Sequence, residues 1–371
     1  MRMEAMQISG IDENSSSSSS LIRVLYNIDF LNQILLCLPV KSLLVSKSVS
    51  KQWLSLISSP CFIKNHYIRN KHSKPGFLSL NTLYGNVNYD SVLLNERITI
   101  NRSIIFESQD HKPLVMEHSC NGLFLCCEYG GGSSYYIYNL STKYYRIIPP
   151  DPVFSCLSIS LVFDPLKSLN YEVISIGKID DSYRIAIYSS ATNSWRICEA
   201  RYYFPNSVHF YKCPGVFWDG YLNWINLGDN TSSSFNIDRQ VLITLPFSDE
   251  MSDEHIIYFG EWMGYMQLIL SDQKLLHCWD IFEMEINYVG WKLKYRVNLD
   301  ELKNYYSIDG LYPDQSFHVM LVVDELKALI HLTDGRILSY DLKKKSFKEI
   351  CNFPMSHLDI SHVYTESLAD V

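Results

Sequence analysis

Four stretches of this chain repeat one pattern: "YYIYNLSTKYYRIIP" (135–149), "IAIYSSATNSWRICE" (185–199), "SSFNIDRQVLITLP" (233–246) and "ILSYDLKKKSFKEIC" (337–351). "HCWDIFEMEINYVGWKLKYRV" (277–297) is a fifth copy with an expanded turn. Each copy closes a strand on Tyr or Phe, passes a polar turn, and opens a second strand on an aromatic or aliphatic residue. The aromatic markers Tyr138, Tyr188, Phe235, Phe282 and Tyr340 are 50, 47, 47 and 58 residues apart. A repeat of that period restricts the fold to like units set side by side, because one unit alone cannot bury its apolar face.

A second motif precedes each copy. It reads "CNGLFLC" (120–126), "WDGYLNWI" (218–225), "WMGYMQLIL" (262–270) and "VDELKALIHL" (323–332). In the second repeat its place is taken by "LVFDPLKSLNYEVISI" (161–176), with Asp164-Pro165 as the turn. Asn-Gly and Asp-Gly are the dipeptides that accept the positive φ angles of a tight hairpin. The unit is therefore two hairpins, four strands in about 45–50 residues, which is a propeller blade in the kelch range. Aromatic residues make up 13% of the chain, and flat rings favour a pleated surface. Residues 77–108 supply further strands, and the C-terminal "DISHVYTES" is expected to join them in a sixth blade that closes the ring and removes an exposed edge. The expected body is an all-β propeller of about six blades over 76–365.

The front of the chain has another texture. In "DFLNQILLCLP" the residues Leu31, Ile34, Leu35 and Leu38 stand at i, i+3, i+4 and i+7, one face of a helix. Asp29 or Asn27 is placed to cap it, and Pro39 to stop it. "VKSLLVSKS" predicts a second short helix with Leu43 and Leu44. In "SVSKQWLSLISSP" the residues Val49, Trp53, Leu56 and Ile57 predict a third, ended by Ser58-Ser59-Pro60. Three helices in about forty residues have little core. Either their apolar side chains pack on each other and on a neighbour, or some are left for a partner to cover. The expected organisation is a disordered Ser-rich lead-in (1–20), a helical domain (21–70), a turn at Lys74-Pro75-Gly76, and the propeller: an α+β multidomain chain.

Charge divides along the same line. The whole chain carries −8, yet residues 21–72 hold seven Lys or Arg against one acid. A basic head on an acidic body predicts two surfaces with different partners. A helix-turn-helix reader of DNA would need Arg, Asn or Gln along its recognition helix. "SKQWLSLISS" offers only Lys51 and Gln52, so no nucleic-acid partner is expected. No stretch is apolar for the length of a membrane span, and the N-terminus has no apolar signal region.

Nothing assembles a catalytic constellation. The ten cysteines form no C-x-x-C and no zinc spacing with His. "EYGGGSSYY" (128–136) lacks the Lys of a phosphate loop. His357 and His362 in "SHLDISH" read as loop histidines, and "SDEMSDEH" (248–255) as a solvated acidic loop. The tryptophans 195, 218, 224, 262 and 291 recur with the repeat and read as blade packing. No catalytic residue, metal or cofactor is expected, and a soluble protein of the cytoplasm or nucleus is.

"ILLCLPVKSLLVSKSVSKQWLSLISSPCFIKNH" resembles the F-box of plant F-box proteins, over about Asp29 to His66. "SCNGLFL", "LVFDPLKSLNYEVISI", "GVFWDGYLNWI" and "GWKLKYRVNL" resemble the F-box-associated domain of the same plants, over about 100–355. The resemblance implies a subunit of a Skp–cullin–F-box ubiquitin ligase that marks a target protein for proteasomal degradation. It implies binding to a Skp-type adaptor, and through it to cullin and RING subunits, with the propeller holding an unknown protein substrate. Carried onto this chain, Leu38, Pro39, Val40, Leu43 and Leu44 stand at the adaptor contact. Leu31, Ile34 and Leu35 support it, and Val49, Trp53, Leu56 and Ile57 build the helical core and the rest of the surface. The chain departs from the family pattern at Tyr26-Asn27, Gln33 and Cys37. Two other readings stay open: an F-box scaffold or decoy outside ubiquitin ligation, and a ligand-binding or enzymatic propeller with an unrelated helical cap.

Overall fold

The computed structural model describes residues 28–70, 76–81, 88–93, 99–108, 110–130, 134–152, 156–179, 182–204, 214–226, 229–247, 251, 254–262, 264–272, 278–286, 288, 290–298, 317–324, 327–332, 336–352 and 361–371. The Ser-rich lead-in, Asn27, Lys74-Pro75, His357 and most of the 248–255 stretch lie outside them. The chain divides into two compact units, Met1–Asn70 and Lys71–Val371.

The first unit is helical: α1 (Ile28–Leu35), α2 (Val40–Ser46), α3 (Lys51–Ile57) and α4 (Pro60–Asn70). Pro39 is the N-cap of α2. Ser50 caps α3 by accepting the Trp53 N–H at 3.1 Å. The sequence pattern ends the third helix at Ser58-Ser59-Pro60 within a helical domain of 21–70, and the structure adds a fourth helix, α4, from Pro60. Pro60 opens a helix rather than ending one because a first-turn residue has no N–H bond to lose, and Ser59 Oγ accepts the Phe62 N–H at 3.2 Å. Helix α4 contributes Phe62, Ile63 and His66 to the buried set. The His66 Nε2–H donates to the Leu38 carbonyl at 2.9 Å, pinning the chain between α1 and α2. Burial holds the pKa of His66 below its ordinary value.

Among the described residues the second unit holds 24 strands in six four-stranded antiparallel sheets. Sheet 1 starts with β1 (Gly76–Asn81), β2 (Asn88–Leu93) and β3 (Thr99–Ile104). Sheet 2 is β4 (Leu114–Cys120), β5 (Leu123–Glu128), β6 (Tyr135–Asn139) and β7 (Tyr144–Ile147). Sheet 3 is β8 (Cys156–Val162), β9 (Glu172–Ile179), β10 (Ser182–Ser189) and β11 (Ser194–Ile197). Sheet 4 is β12 (Val216–Trp218), β13 (Tyr221–Asn226), β14 (Thr231–Asn236) and β15 (Val241–Pro246). Sheet 5 is β16 (Glu254–Trp262), β17 (Tyr265–Asp272), β18 (Cys278–Met284) and β19 (Trp291–Asn298). Sheet 6 is β20 (Phe317–Asp324), β21 (Lys327–Leu332), β22 (Arg336–Asp341) and β23 (Ser346–Asn352). The last strand, β24 (Ser361–Tyr364), returns to sheet 1 and pairs with β1, Gly76 opposite Tyr364. The chain thus completes its first blade with its last strand, as the sequence pattern predicts.

Each repeated motif maps onto one place in a blade. The five aromatic markers stand on the third strand of sheets 2 to 6, buried. Each faces an apolar partner on the second strand: Phe124 opposite Tyr138, Val173 opposite Tyr188, Leu222 opposite Phe235, Leu268 opposite Phe282, Ala328 opposite Tyr340. Neighbouring sheets bury these faces against each other. Leu78 and Tyr89 of sheet 1 meet Phe124 and Tyr138 of sheet 2. Leu125 and Ile137 meet Leu161 and Val173, Ile174 and Ile187 meet Leu222 and Phe235, Val216 and Trp218 meet Met266 and Met284, and Ile269 and Trp279 meet Ala328 and Ile330.

The turns explain their residues. The inner hairpins carry Asn121-Gly122 and Asp219-Gly220, all four at positive φ. The outer turns end on Lys143, Asn193, Gln240 and Lys345, each with φ between 51° and 61°. Three outer turns are capped by the residue that opens them. Asn139, Asn236 and Asp341 accept backbone N–H bonds from within the turn through Oδ1. In sheet 5 the expanded turn sends Tyr288 back to sheet 4, where its hydroxyl donates to the Trp218 carbonyl at 2.9 Å.

The first strands of successive sheets lie beside one another: β4 next to β24, β8 next to β4, β12 next to β8, β16 next to β12, β20 next to β16. Each has a free backbone edge, and side chains of the neighbour satisfy part of it. His118 Nδ1 on β4 accepts the Leu161 N–H of β8 at 2.9 Å. Ser160 Oγ on β8 accepts the Gly215 N–H just before β12 at 2.8 Å. His362 on β24 bonds the Met116 backbone of β4. His362, read as a loop residue from the sequence, is a buried strand residue, because strand pairing with β1 holds it there.

Candidate functional site

The helical unit carries apolar surface of two kinds. Leu31, Leu35, Val40, Leu43 and Ile57 are buried and hold the four helices together with Phe62. Leu38, Leu44, Trp53 and Leu56 are half-buried. Ile34, Pro39 and Val49 are exposed, Ile34 at 50% and Val49 at 62%. Of the twelve residues singled out from the sequence, seven therefore keep surface that a partner can reach.

Further exposed apolar residues were not singled out. They are Ile28, Phe30 at 61%, Val45 at 68%, Leu54 at 47% and Ile68. A helical face read from i, i+3, i+4 and i+7 spacing finds the buried stripe. Ile34 belongs to the stripe read from spacing and is nevertheless exposed, whereas Phe30 on α1, Val45 on α2 and Leu54 on α3 lie off that stripe. Their signal was available as apolar residues on the face that an ordinary surface helix gives to polar ones. Exposed Lys41, Lys51, Lys64 and Arg69 and the half-buried Lys47 lie on the same four helices and the turns between them, with Asp29 the one acid. Greasy side chains among lysines suit a protein partner with an acidic, partly apolar face.

The β unit offers a different chemistry. Among the described residues no group of three His, Cys, Asp or Glu stands close enough to hold a metal. Cys37, Cys61, Cys120, Cys126, Cys127, Cys156, Cys198 and Cys278 are free thiols. Burial pushes the Cys126 thiol well up, that of Cys127 up to about 12 and that of Cys156 up to about 11. A thiol in that range is protonated at neutral pH and a poor nucleophile. Cys126 and Cys127 divide as alternation in a strand requires, Cys126 fully buried and Cys127 half-buried. The histidines His118 and His362 are held neutral, their pKa lowered by burial to about 3 and about 4.

Comparison with known proteins agrees with both units. The family model of the F-box domain matches residues 27–65, and that of the F-box associated beta propeller domain matches residues 82–325. The F-box protein At5g07610 of Arabidopsis thaliana is 31% identical over 382 residues, covering 92% of this chain and 89% of that one. The F-box protein At5g49610 of the same plant is 24% identical, covering 86% of this chain and 89% of that one. No helix among the described residues is long and apolar enough to cross a membrane. A helical head matched as an F-box and a ring of four-stranded blades matched as its associated propeller place this chain in the family of plant F-box proteins with an F-box-associated β-propeller domain.

Proposed function

We propose that this chain is the non-catalytic substrate-recognition subunit of a Skp–cullin–F-box ubiquitin ligase. The helical unit binds a Skp-type adaptor, and through it cullin and RING subunits. The propeller holds a target protein, and other subunits transfer ubiquitin. The observation that carries the reading is the exposed apolar set Phe30, Ile34, Val45, Val49 and Leu54, inside a segment matched as an F-box. Isolated exposed apolar residues are ordinary, but four on helices of seven or eight residues and a fifth, Val49, in the turn between two of them make a surface that gains by being covered. The chain's part in the reaction is proximity, which raises the effective concentration of target near the transferring subunits. Its place of action is the cytoplasm or nucleus, where those subunits act.

The test is direct binding of a purified Skp-type adaptor to the whole chain and to an Ile34→Asp, Leu38→Asp variant. Ile34 is exposed and Leu38 half-buried, so the variant is checked for an unchanged melting curve. Micromolar or tighter binding, lost in the folded variant, is the expected result. A well-folded wild type that fails to bind the adaptor refutes the reading.

A further inference from the structure

The chain does not stop at the strand that closes sheet 1. Residues 365–371 run on beyond β24 across sheet 2 to its junction with sheet 3. They are seated there like a ligand. Asn139, fully buried, donates from Nδ2 to two carbonyls of the segment, Ser367 O at 3.1 Å and Ala369 O at 2.7 Å. Ser141 Oγ accepts the Ser367 N–H at 3.0 Å. Three of the segment's backbone groups are thus read by two side chains of one outer turn. Leu368 and Ala369 are buried at 5% and 1%, and Ala369 joins the apolar cluster of Cys120, Leu123, Phe163 and Tyr188. Gly122 completes the seat. A Cβ there would stand 2.5 Å from the Thr365 carbonyl and 2.6 Å from Ser367 Cβ.

Asn139 differs from its equivalents in the other blades. Asn236 and Asp341 also cap their outer turns through Oδ1. Asn139 caps its turn in the same way and in addition turns its amide on the 365–371 segment. A carboxylate at this position would do the first task and not the second. The segment curves here, with Ser367 Oγ accepting the Ala369 N–H at 3.1 Å, and that curve brings two main-chain carbonyls to one side-chain amide, a contact that does not depend on most of the segment's side chains. Side-chain selection is left to the three closed positions, which hold Ser367, Leu368 and Ala369.

We infer that the groove between sheets 2 and 3 is a binding site for a peptide segment bound through its main chain, with small side chains at the Ser367 and Ala369 positions and an apolar one at Leu368, filled in cis by residues 365–371. The segment is a strap, and its seat accepts the same peptide in trans when the strap is displaced. A strap tethered beside its seat competes at an effective concentration in the millimolar range. The filled seat therefore rejects free peptide, and the vacant one takes it. The site lies wholly within the β unit and stands apart from the ligase reading.

The experiment uses the full chain and a fluorescein-labelled peptide of residues 364–371, read by anisotropy. Ala369→Arg in the chain overfills the cluster and ejects the strap while leaving the seat intact. Asn139→Asp keeps the turn cap and sets a carboxylate against two carbonyls, which ejects the strap and spoils the seat. The expected result is binding to the Ala369→Arg chain at least tenfold tighter than to wild type, with none to Asn139→Asp. A peptide carrying the same Ala369→Arg change does not bind. If the Ala369→Arg chain melts early, the unlabelled wild-type peptide restores its melting temperature. A folded Ala369→Arg chain that ignores the peptide overturns the inference. So does an unfolded one that the peptide fails to rescue, because the segment is then an inseparable part of the core.

Discussion

The two histidines beside the propeller axis make acid stability a test of how neighbouring blades are joined. His118 accepts the Leu161 N–H through Nδ1, and a proton on that nitrogen would set two donors face to face. His362 is buried, with Nε2 unpartnered. Their folded pKa values, about 3 and about 4, lie below the 6.5 of an unfolded histidine. A lowered pKa means that the unfolded chain takes up protons first. The stability from these groups is complete above pH 6.5 and is lost as pH falls toward 4. Going from pH 7.5 to pH 5, each contributes a loss of about 2 kcal/mol, together about 4 kcal/mol. Domains are typically stable by only about 5–15 kcal/mol. In His118→Asn, Oδ1 takes over acceptance from Leu161; in His362→Asn, Nδ2 takes over donation to Met116. The double variant keeps the bonds and removes the titration. Six of the seven tryptophans lie in the β unit, so urea unfolding followed by tryptophan fluorescence reports this unit. Glu172 and Glu261, whose pKa burial raises, act in the opposite sense in both proteins and cancel in the comparison. The wild type is expected to lose about 4 kcal/mol more than the double variant over this range. Parallel losses would refute the claim that these histidines are folded in the neutral form.

Four further outcomes are expected. Gln240→Gly and Lys345→Gly each relieve a left-handed residue, at φ of 55° and 52°, and raise stability by about 1 kcal/mol in a urea titration. Gly122→Val meets both a positive φ and the Thr365 carbonyl, and lowers stability by about 3 kcal/mol in the same assay. Trp218→Phe deletes the Nε1–H bond to the Gly264 carbonyl, 2.8 Å long, and lowers it by about 1 kcal/mol. In alkylation followed by mass spectrometry, the exposed Cys37 and Cys61 are modified in the native chain, whereas buried Cys126 is modified only on unfolding.

What was written locally could be read locally. Period, turn dipeptides and alternation are properties of neighbours in sequence, so the two hairpins per repeat, the Asn-Gly and Asp-Gly turns and the aromatic markers were legible before any coordinates. Ring closure was legible too, because a blade short of one strand leaves an edge and the C-terminal stretch was the remaining strand-like segment. In the head, spacing identified the buried stripe of Leu31 and Leu35. Phe30, Val45 and Leu54 stand off that stripe in the sequence, but how much of each stays exposed depends on where the other three helices lie.

The sequence by itself determined the repeating unit, the number of strands in it and the division into a basic helical head and an acidic β body, because hydrophobic period and turn chemistry act over a few residues. Tertiary structure alone decided which groups meet across 200 residues and more. Asn139 reads the backbone of Ser367 and Ala369, and His362 lies against β4. No periodicity encodes such meetings. They exist because a closed ring brings the last strand beside the first, and only then do an amide and a carbonyl far apart in the chain come within bonding distance.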